Sequence, residues 1–392
     1  MVTTVVIVGA GLGGLRAAES LRANGFVGEI TVIGDEPHMP YNRPPLSKEA
    51  LKSGLDMSTL EFRRKASVAD VTWQLGSAVV ACDLSARTIT LADGSIVGFD
   101  ALVAASGIRP RDFNIPGPRN GRHFLRAAAD AHALREQLVP GARIVILGSG
   151  FIGCEVAATA RQLGCEVDIV TLDPVPMYRP LGTILGAGMQ AHHEEHGVRF
   201  HFGRSITEFT GHDRVTGAVL DDDSSLEADV VLEAVGSVPN TQWLAGNNID
   251  LSDGILTDSS LRVVGSPAPF VAVGDVARYE NALFPGVARR IEHWNLPTDT
   301  GKRAGATLAT LLTGGQPDQT PFAPMPSFWS DQYHCKVQSF GLPGIADEIV
   351  IVGGEPSGEC VAEYRRDGAL VGVIGINSTS ALVPYRTALM AG

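Results

Sequence analysis

The sequence predicts an α/β chain with two Rossmann-like dinucleotide-binding domains and a C-terminal α+β domain that contains an antiparallel sheet. Three observations support this fold class. An apolar β-branched run leads into a Gly-x-Gly-x-x-Gly pattern at Gly9, and the same pattern returns at Gly148. Residues 320–392 then change in character to aromatic-rich strands with glycine turns. We therefore expect two similar α/β units followed by a separate sheet.

The first glycine-rich turn has the context that a dinucleotide site requires. Residues 5–8 are expected to form a buried strand, because they are apolar and β-branched, and residues 15–21 a helix. Gly9 allows the tight turn, Gly11 lets the backbone approach a pyrophosphate, and Gly14 lets helix and strand pack closely. A second strand over residues 30–33 leads to Asp35, whose carboxylate would hold a ribose hydroxyl.

A stiff, proline-rich loop follows at residues 36–48 and ends in Arg43-Pro44-Pro45-Leu46-Ser47-Lys48. Ser47 is expected to cap the next helix. Because the loop follows the dinucleotide strand, it can reach over a bound cofactor. Short β-like pieces alternate over residues 68–103, and a strand over residues 101–105 ends in Ser106-Gly107.

The repeat at Gly148 is followed by a predicted helix at residues 154–163 and a strand at 166–172. Two such units require two nucleotide-type ligands, and a flavin dinucleotide plus a nicotinamide dinucleotide is the economical assignment. Later strands over residues 228–235 and 269–273 end near Gly236 and Asp275 and indicate a return to the first domain. We expect FAD-binding segments at 1–112 and 239–319, an NAD(P)H-binding domain at 113–238 and a C-terminal interface domain at 320–392.

Composition excludes several classes of function. The formal net charge of −12 argues against non-specific nucleic-acid binding. No apolar run is long enough to span a bilayer, so no membrane partner is expected. None of the five cysteines has CxxC or metal-ligand spacing, so neither a disulfide framework nor a zinc site is expected. A cytoplasmic location follows as the default.

A pair of histidines resembles part of a metal site. His192 and His196 are four residues apart, a spacing that brings two imidazoles to one helix face. The segment ends at Gly197, and no third ligand is identifiable from the sequence. We expect the exposed last turn of a helix here, and no bound metal.

Five features occur in order along the chain. They are the two glycine patterns, the Arg43-to-Lys48 loop, Val273-Gly274-Asp275, Arg290-Ile291-Glu292-His293-Trp294 and Phe328-Trp329-Ser330-Asp331-Gln332-Tyr333. In this combination the sequence resembles the FAD-dependent NAD(P)H:ferredoxin reductases of cytochrome P450 and Rieske oxygenase systems, which have the glutathione-reductase-like fold. The resemblance covers essentially the whole chain. Rubredoxin reductases, monodehydroascorbate reductases and apoptosis-inducing-factor flavoproteins share much of the same set.

The resemblance implies a set of FAD-binding residues. Asp35 would bind the adenosine ribose, Val79 the adenine, and Asp275 the ribityl chain or pyrophosphate through a helix N-terminus. Arg43 and Lys48 would lie on the flavin side of the site, and Arg126 would reach FAD from the second domain. The full set is Gly9, Gly11, Leu12, Gly13, Gly14, Asp35, Arg43, Lys48, Val79, Ala105, Gly107, Arg126, Asp275, Glu292 and Trp294.

In the second unit, the resemblance implies an NAD(P)H site. Its glycines would hold the pyrophosphate, and Phe151 would cover the isoalloxazine until nicotinamide displaces it. Glu155 would pair with Lys48 near flavin N5, since buried charges must be paired. The full set is Gly148, Gly150, Phe151, Ile152, Gly153, Glu155, Thr171, Asp173, Arg179 and Gly236.

The choice between NADH and NADPH depends on the end of the second strand of this unit. NAD-specific members have an acidic residue there for the ribose 2′-hydroxyl, but this chain has Thr171. Asp173 follows two residues later, and the nearest arginine that could bind a 2′-phosphate is Arg179. We expect NADH, with Asp173 as the substitute ligand, and leave NADPH open.

The acceptor is expected to be external, because no cysteine occurs between residues 1 and 81. A [2Fe–2S] ferredoxin, which takes one electron at a time, is the leading acceptor. Quinone, rubredoxin or monodehydroascorbate reduction, or an apoptosis-inducing-factor-like redox sensor, are the alternatives. Lys48, Glu155 and Trp329 are the expected catalytic residues, in a monomer or weak homodimer. An acidic ferredoxin would require a local basic patch. The candidate clusters are Arg289-Arg290, Lys302-Arg303 and Arg63-Arg64-Lys65. The resemblance favours Lys302-Arg303 and docking near Trp329.

Overall fold

The structure, a computed structural model, describes residues 3–391. These residues form two compact units. The first comprises residues 3–42, 57–109 and 239–326, and the second comprises residues 43–56, 110–238 and 327–391. The segment 43–56 thus belongs to the second unit, although the chain on either side of it belongs to the first.

The helices are α1 Leu12–Ala23, α2 Glu49–Ser53, α3 Met57–Leu60, α4 Ala128–Arg135, α5 Phe151–Gln162, α6 Tyr178–Glu195, α7 Leu296–Leu312 and α8 Val383–Ala391. The strands are β1 Thr4–Val8, β2 Glu29–Ile33, β3 Thr72–Gln74, β4 Val79–Asp83, β5 Thr88–Leu91, β6 Ile96–Gly98, β7 Ala101–Ala104, β8 Ile108–Pro110, β9 Arg122–His123, β10 Arg143–Leu147, β11 Glu166–Thr171, β12 Val198–Phe202, β13 Ile206–Gly211, β14 Val215–Leu220, β15 Ser225–Glu227, β16 Val230–Glu233, β17 Ser237–Pro239, β18 Ile255–Leu256, β19 Phe270–Ala272, β20 Ala277–Arg278, β21 Ser327–Gln332, β22 Cys335–Gly341, β23 Glu348–Gly354, β24 Cys360–Arg366 and β25 Ala369–Ile376.

A five-stranded parallel sheet in the order β19-β7-β1-β2-β3 forms the centre of the first unit. Strands β1 and β7 are buried on both faces, as expected for apolar runs covered by helices. Helices α1 and α7 pack closely, since a Cβ added at Gly305 would lie only 2.5 Å from Cβ of Ser20. The hydroxyl of Ser20 also donates to the carbonyl of Lys302 (2.6 Å). Strands β4, β5 and β6 form a smaller antiparallel sheet.

The second unit repeats the parallel architecture and adds an antiparallel sheet. Its parallel sheet has the order β12-β11-β10-β16-β9, with β10 buried at the centre. A three-stranded antiparallel sheet of β13, β14 and β15 follows β12 in the chain. The C-terminal residues form a five-stranded antiparallel sheet in the order β21-β22-β25-β24-β23.

The predicted fold class is confirmed, and the differences lie at element ends. Helices α1 and α5 begin at Leu12 and Phe151, three residues earlier than predicted in each case. The glycines in their first turns discouraged an earlier start in the sequence analysis, because glycine has low helix propensity. Within residues 3–391, no helix combines the length and the apolar composition needed to cross a lipid bilayer.

Candidate functional site

The turn after β1 has the geometry of a pyrophosphate cradle. Gly9 has φ +117°, and a Cβ there would lie 2.1 Å from the carbonyl oxygen of Ala105. A Cβ at Gly14 would lie 2.1 Å from the carbonyl oxygen of Gly9. By contrast, nothing lies within 4 Å of a Cβ built on Gly11. The two outer glycines are therefore fixed by packing, while the middle one faces open space that a ligand can enter.

The turn after β10 has the same geometry. Gly148 has φ +103°, and a Cβ there would lie 2.4 Å from the carbonyl oxygen of Ala234. A Cβ at Gly153 would lie 2.2 Å from the carbonyl oxygen of Gly148, and Gly150 again faces open space. The duplication predicted from the sequence thus extends to the steric role of each glycine.

Both turns lead directly into a helix without a side-chain cap. Gly11 is the N-cap of α1 and Gly150 is the N-cap of α5, and neither offers a capping hydrogen bond. The backbone N–H groups of a first turn have no partner within the helix and carry partial positive charge. Each turn therefore fits the pyrophosphate of a dinucleotide, including that of FAD or NADH.

Parallel strands bring further predicted residues of the first unit to the same sheet edge. The turn at Gly9, Asp35, Ala105 and Asp275 all follow the carboxyl ends of strands in one parallel sheet. Asp35 is exposed. The N–H of Gly9 donates to the carbonyl of Ile33 at 2.7 Å, so the glycine turn lies beside the end of β2. This edge is where open α/β sheets bind ligands.

Asp275 differs from its predicted setting. It lies in a short 3₁₀ turn, Gly274–Val276, rather than at the start of an α-helix. The next α-helix, α7, begins at Leu296. Thr300 on that helix accepts a hydrogen bond from the N–H of Gly274 (2.9 Å), which ties the turn to α7.

The other predicted residues of the first unit lie in half-buried loops and strand ends. Val79 begins β4, and the N–H of Ala105 donates to the carbonyl of Val8 (2.7 Å). The carbonyl of Gly107 accepts from Asn240 (2.9 Å). Trp294 is 40% exposed, and its indole N–H donates to Oδ1 of Asn42 at 2.8 Å. The Trp294 ring is therefore held at its polar edge.

In the second unit, the carboxyl edge of the parallel sheet carries the turn at Gly148, Asp173 and Gly236. Thr171 itself is only 4% exposed. Its Oγ1 accepts hydrogen bonds from the Ser149 hydroxyl (2.9 Å) and from the N–H of Asp173 (3.2 Å). Thr171 therefore shapes the loop, while half-buried Asp173 and exposed Arg179 remain reachable.

Arg204 is a cation that the sequence analysis missed. Its N–H donates to the carbonyl of Thr171 (3.1 Å), so it lies beside the end of β11. Its guanidinium is paired with Asp222, with Nε 2.8 Å from Oδ2. Arg204 follows β12, 51 positions after Gly153 at the end of the glycine motif (204 − 153), and no local signal in the sequence connects it to the nucleotide site.

The ion pair predicted between Lys48 and Glu155 is present. Nζ of Lys48 lies 2.7 Å from Oε2 of Glu155, and the two side chains are only 13% and 7% exposed. Glu155 lies on α5, one turn after Gly150, so the helix that begins at the glycine cradle also carries this carboxylate. The pair is largely removed from water, which strengthens its electrostatic interaction.

Two serines complete the hydrogen bonding of this carboxylate. Ser47 donates to Oε2 of Glu155 (2.5 Å), and Ser330 donates to Oε1 (2.6 Å). Ser47 is not the helix cap that the sequence predicted, because α2 begins at Glu49 with Lys48 at the N-cap position. Thr159 holds the same segment by donating to the carbonyl of Ser47 (3.0 Å). Glu155 and Thr159 lie four residues apart and so share a helix face.

A buried polar chain continues from Ser330 along β21. The amide of Gln332 donates to the Ser330 hydroxyl at 2.9 Å, and its Oε1 lies 2.7 Å from Nε2 of His193. His193 is fully buried, and burial lowers its pKa to about 4, so the ring is neutral and Nε2–H donates to Gln332. The prediction that the last turn of α6 is exposed is therefore wrong for His193.

The alternation of β21 separates its aromatic residues. Phe328, Ser330 and Gln332 share one face of the strand, and Trp329 lies on the other. The ring of Phe328 packs against Phe151, with centroids 4.9 Å apart. Phe151, half-buried at the start of α5, thus has an aromatic neighbour beside the glycine cradle. Trp329 is half-buried, and Ile152, next to Phe151, is exposed.

Arg43 and Arg126 are brought together within the second unit. Nη1 of Arg43 donates to the carbonyl of Arg126 (2.8 Å). Asp130, in the first turn of α4, accepts from the N–H of Arg126 at 2.9 Å. These contacts join the segment 43–56 to the start of α4.

The four predicted docking cations differ in their availability. Arg290 binds both Asp253 and Glu292 (2.7 Å each), and Arg303 pairs with Asp318. Arg289 donates to two backbone carbonyls. Lys302 is exposed and has no ion-pair partner among residues 3–391. Of the four, Lys302 is therefore the cation best able to attract an acidic partner.

Comparison with known proteins identifies the family to which this chain belongs. The family described as pyridine nucleotide-disulphide oxidoreductase matches residues 3–301. The chain belongs to this family of oxidoreductases. A second family, described as reductase C-terminal, matches residues 327–392. The resemblance and the glutathione-reductase-like fold predicted from the motifs are thereby confirmed.

Relatives match over nearly the whole chain. Rhodocoxin reductase of Rhodococcus erythropolis is 36% identical over 95% of this chain and 86% of that protein. The ferredoxin–NAD(+) reductase component of the anthranilate 1,2-dioxygenase system of Burkholderia cepacia is 35% identical over 99% of this chain and 94% of its own length. The reductase in a covalent putidaredoxin reductase–putidaredoxin complex is 28% identical, with a TM-score of 0.90 over 99% of this chain and 93% of that one.

The family name refers to disulphides, but the thiols of this chain are poorly suited to redox chemistry. All five cysteines are free and buried. Cys154, the nearest to a glycine cradle, donates its S–H to the carbonyl of Ser149 (3.4 Å), and burial raises the pKa of its thiol. Because the thiolate is the reactive form, these cysteines are chemically inert.

Replacing Ser330 with alanine tests the buried network. The change leaves Oε1 of Glu155 without its hydroxyl donor, so we expect the free energy of unfolding to fall by about 1–3 kcal/mol. Urea denaturation of Ser330→Ala measures the loss. Ser357→Ala, at an exposed position of the same unit, is the control and should match the parent protein. Equal denaturation midpoints for the two variants would contradict the assigned role of Ser330.

Proposed function

We propose that this protein is an FAD-dependent NADH:ferredoxin reductase. It takes a hydride from NADH and passes single electrons to a [2Fe–2S] ferredoxin that supplies a cytochrome P450 or a Rieske-type oxygenase. The observation that carries the proposal is the duplicated cradle, because one chain with two equivalent pyrophosphate sites can hold a flavin and a nicotinamide dinucleotide together. The names of the relatives, which are reductases of oxygenase and ferredoxin systems, support the choice of acceptor.

In this proposal, each of the two glycine turns binds one of the two dinucleotides. Residues 1–112 and 239–319 bind FAD, residues 113–238 bind NADH, and residues 320–392 form the interface domain. In the FAD-binding segments, the turn at Gly9 holds the FAD pyrophosphate and Asp35 holds the adenosine ribose. In the NADH-binding domain, the turn at Gly148 holds the pyrophosphate of NADH and Asp173 holds its ribose. The reductase is a monomer or weak homodimer, and its five free thiols suit a cytoplasmic location.

Bound FAD supplies the chemistry that protein side chains lack, since a flavin accepts two electrons as a hydride and releases them one at a time. The protein contributes position and charge. The Lys48 ammonium and the Ser47 and Ser330 hydroxyls all point at Glu155, which fixes that carboxylate in one orientation. We propose that Lys48, held in turn by Glu155, is the fixed cation for hydride transfer.

Cytochrome c reduction by NADH, with and without added [2Fe–2S] ferredoxin, tests the proposed function. Strong dependence on ferredoxin is the expected result. Rapid quinone or monodehydroascorbate reduction without ferredoxin would identify a small-molecule reductase instead. Slow turnover with every acceptor would favour a redox-sensing flavoprotein. Rubredoxin is tested in the same assay, because it is the other protein acceptor among the alternatives to ferredoxin.

Lys48→Ala should slow reduction of the bound flavin by NADH by about tenfold or more, because it removes the fixed cation and leaves Glu155 unpaired. Stopped-flow absorbance of the flavin measures the rate. Lys52→Ala, which removes an exposed lysine one helical turn away, is the matched control and should react like the parent protein. An unchanged rate in Lys48→Ala would remove the pair from the mechanism.

NADH should be the preferred donor. Asp173→Asn is expected to lower kcat/KM for NADH by about three- to tenfold, the effect of losing one hydrogen bond to a hydroxyl. The ratio of kcat/KM for NADH and NADPH, measured for the parent and the variant, checks both statements. A clear preference of the parent for NADPH would contradict the prediction and would indicate that Arg179 or Arg204 binds the 2′-phosphate.

Lys302→Glu should raise KM for ferredoxin by about three- to tenfold, because an interfacial charge mainly affects association. Ferricyanide reduction, which needs no docking, should stay unchanged. Arg87→Glu, an equal change of charge at another exposed position of the first unit, is the control. If the two variants behave alike, the effect is one of net charge, and Lys302 does not mark the docking surface.

A further inference from the structure

Three histidines converge within the second unit at a position unrelated to the glycine cradle. His192 and His196 lie at the C-terminal end of α6, and His334 lies in the turn between β21 and β22. Their potential ligand nitrogens all lie within 4.8 Å of one another. His334, which the sequence analysis could not identify, provides the third imidazole that the i,i+4 pair lacked.

The tautomer of His196 is fixed by a hydrogen bond. Its Nδ1 lies 2.8 Å from the carbonyl oxygen of His192. A carbonyl can only accept, so Nδ1 carries the proton and the lone pair of Nε2 is free. Histidines that bind metals are commonly oriented in this way, through the nitrogen that does not bind the ion. The ring is also stacked on Tyr333, with centroids 3.7 Å apart, which limits its rotation.

His192 has an unsatisfied ring nitrogen at the centre of the cluster. Its Nε2 is buried and has no hydrogen-bond partner among residues 3–391. The ring lies edge-on to both His196 and His334, at centroid distances of 4.8 and 4.7 Å. A buried nitrogen without a partner is costly, and such an atom requires an explanation. An ion bound by all three rings would satisfy it.

A cavity lies beside two of the three histidines. It has a volume of about 40 Å³, which is enough for a water molecule as a fourth ligand, and is lined by His192, His334 and Met189 among others, though not by His196. His334 is exposed, so the cluster can be reached from solvent. Zn–N bonds of about 2.0–2.1 Å require ligand nitrogens about 3.4 Å apart in a tetrahedron. The potential ligand nitrogens here lie within 4.8 Å of one another, and the exposed His334 ring is the one with most freedom to move toward the other two.

We propose that His192, His196 and His334 bind one divalent transition-metal ion of the kind that prefers imidazole, such as Zn²⁺. The ion would fasten the end of α6 to the β21–β22 turn. The same strand, β21, carries Ser330 and Gln332 in the buried network around Glu155. Metal occupancy would therefore stabilise the fold around that strand, independently of electron transfer.

Isothermal titration of the untagged, FAD-loaded protein with Zn²⁺ tests the proposal. One equivalent should bind, and His334→Gln should raise Kd at least about tenfold through the loss of one ligand. His212→Gln, which alters an exposed histidine elsewhere in the same unit, should bind like the parent. Zn²⁺ should also raise the thermal midpoint of the parent and of His212→Gln, since a ligand of the folded state stabilises it, but not that of His334→Gln.

A second substitution, His334→Ala, tests whether any change in Zn²⁺ binding comes from the loss of the imidazole and not from the glutamine side chain. Because His334 is exposed, both variants should retain FAD and the unfolding midpoint of the metal-free parent. Stoichiometric Zn²⁺ binding that persists unchanged in both variants would overturn the assignment. So would the absence of one-to-one binding in the parent, or equal losses in His212→Gln and His334→Gln.

Discussion

The carboxylate of Glu155 is the constraint around which the second unit is arranged. A nearly buried carboxylate is stable only when it is paired and hydrogen-bonded. Its three donors come from parts of the chain far apart in sequence: Ser47 and Lys48 from one segment and Ser330 from another. These requirements fix the proline-rich segment and the first strand of the C-terminal sheet against α5. The helix that starts at the glycine cradle is therefore also the one to which both segments are attached.

Backbone packing imposes the second constraint, and it acts twice. In each parallel sheet, a Cβ on the first glycine would collide with the carbonyl at a neighbouring strand end, and a Cβ on the third would collide with the carbonyl of the first. No side chain fits at these positions, which leaves the middle glycine and the uncapped helix N-terminus facing open space. The same few residues thus exclude side chains from the turn and attract a pyrophosphate electrostatically.

Local patterns predicted most of this architecture, and long-range contacts account for what they missed. The glycine turns and the buried strands are recognisable from motifs with fixed spacing, whereas the Lys48–Glu155 pair is implied by the family resemblance. The sequence predicts Ser47 as a helix cap because its partner Glu155 is 108 residues away and nothing near Ser47 indicates that contact. His193, predicted on an exposed turn, is buried and hydrogen-bonded to Gln332, which lies 139 residues further along the chain. Arg204 acquires its neighbours when β12 pairs with β11, and His334 when the β21–β22 turn lies against the end of α6.

The interleaving of segments has a consequence for modularity. The parallel sheet of the second unit and its helices occupy the continuous stretch 110–238, and such stretches are natural candidates for excision or for exchange between homologues. Here an excised piece would retain Glu155 but lose all three of its donors, which reside in residues 43–56 and 327–391. A chimaera that exchanges only residues 110–238 would leave the Glu155 carboxylate on α5 without the donors with which it evolved. Successful chimaeras must inherit all three stretches from one parent.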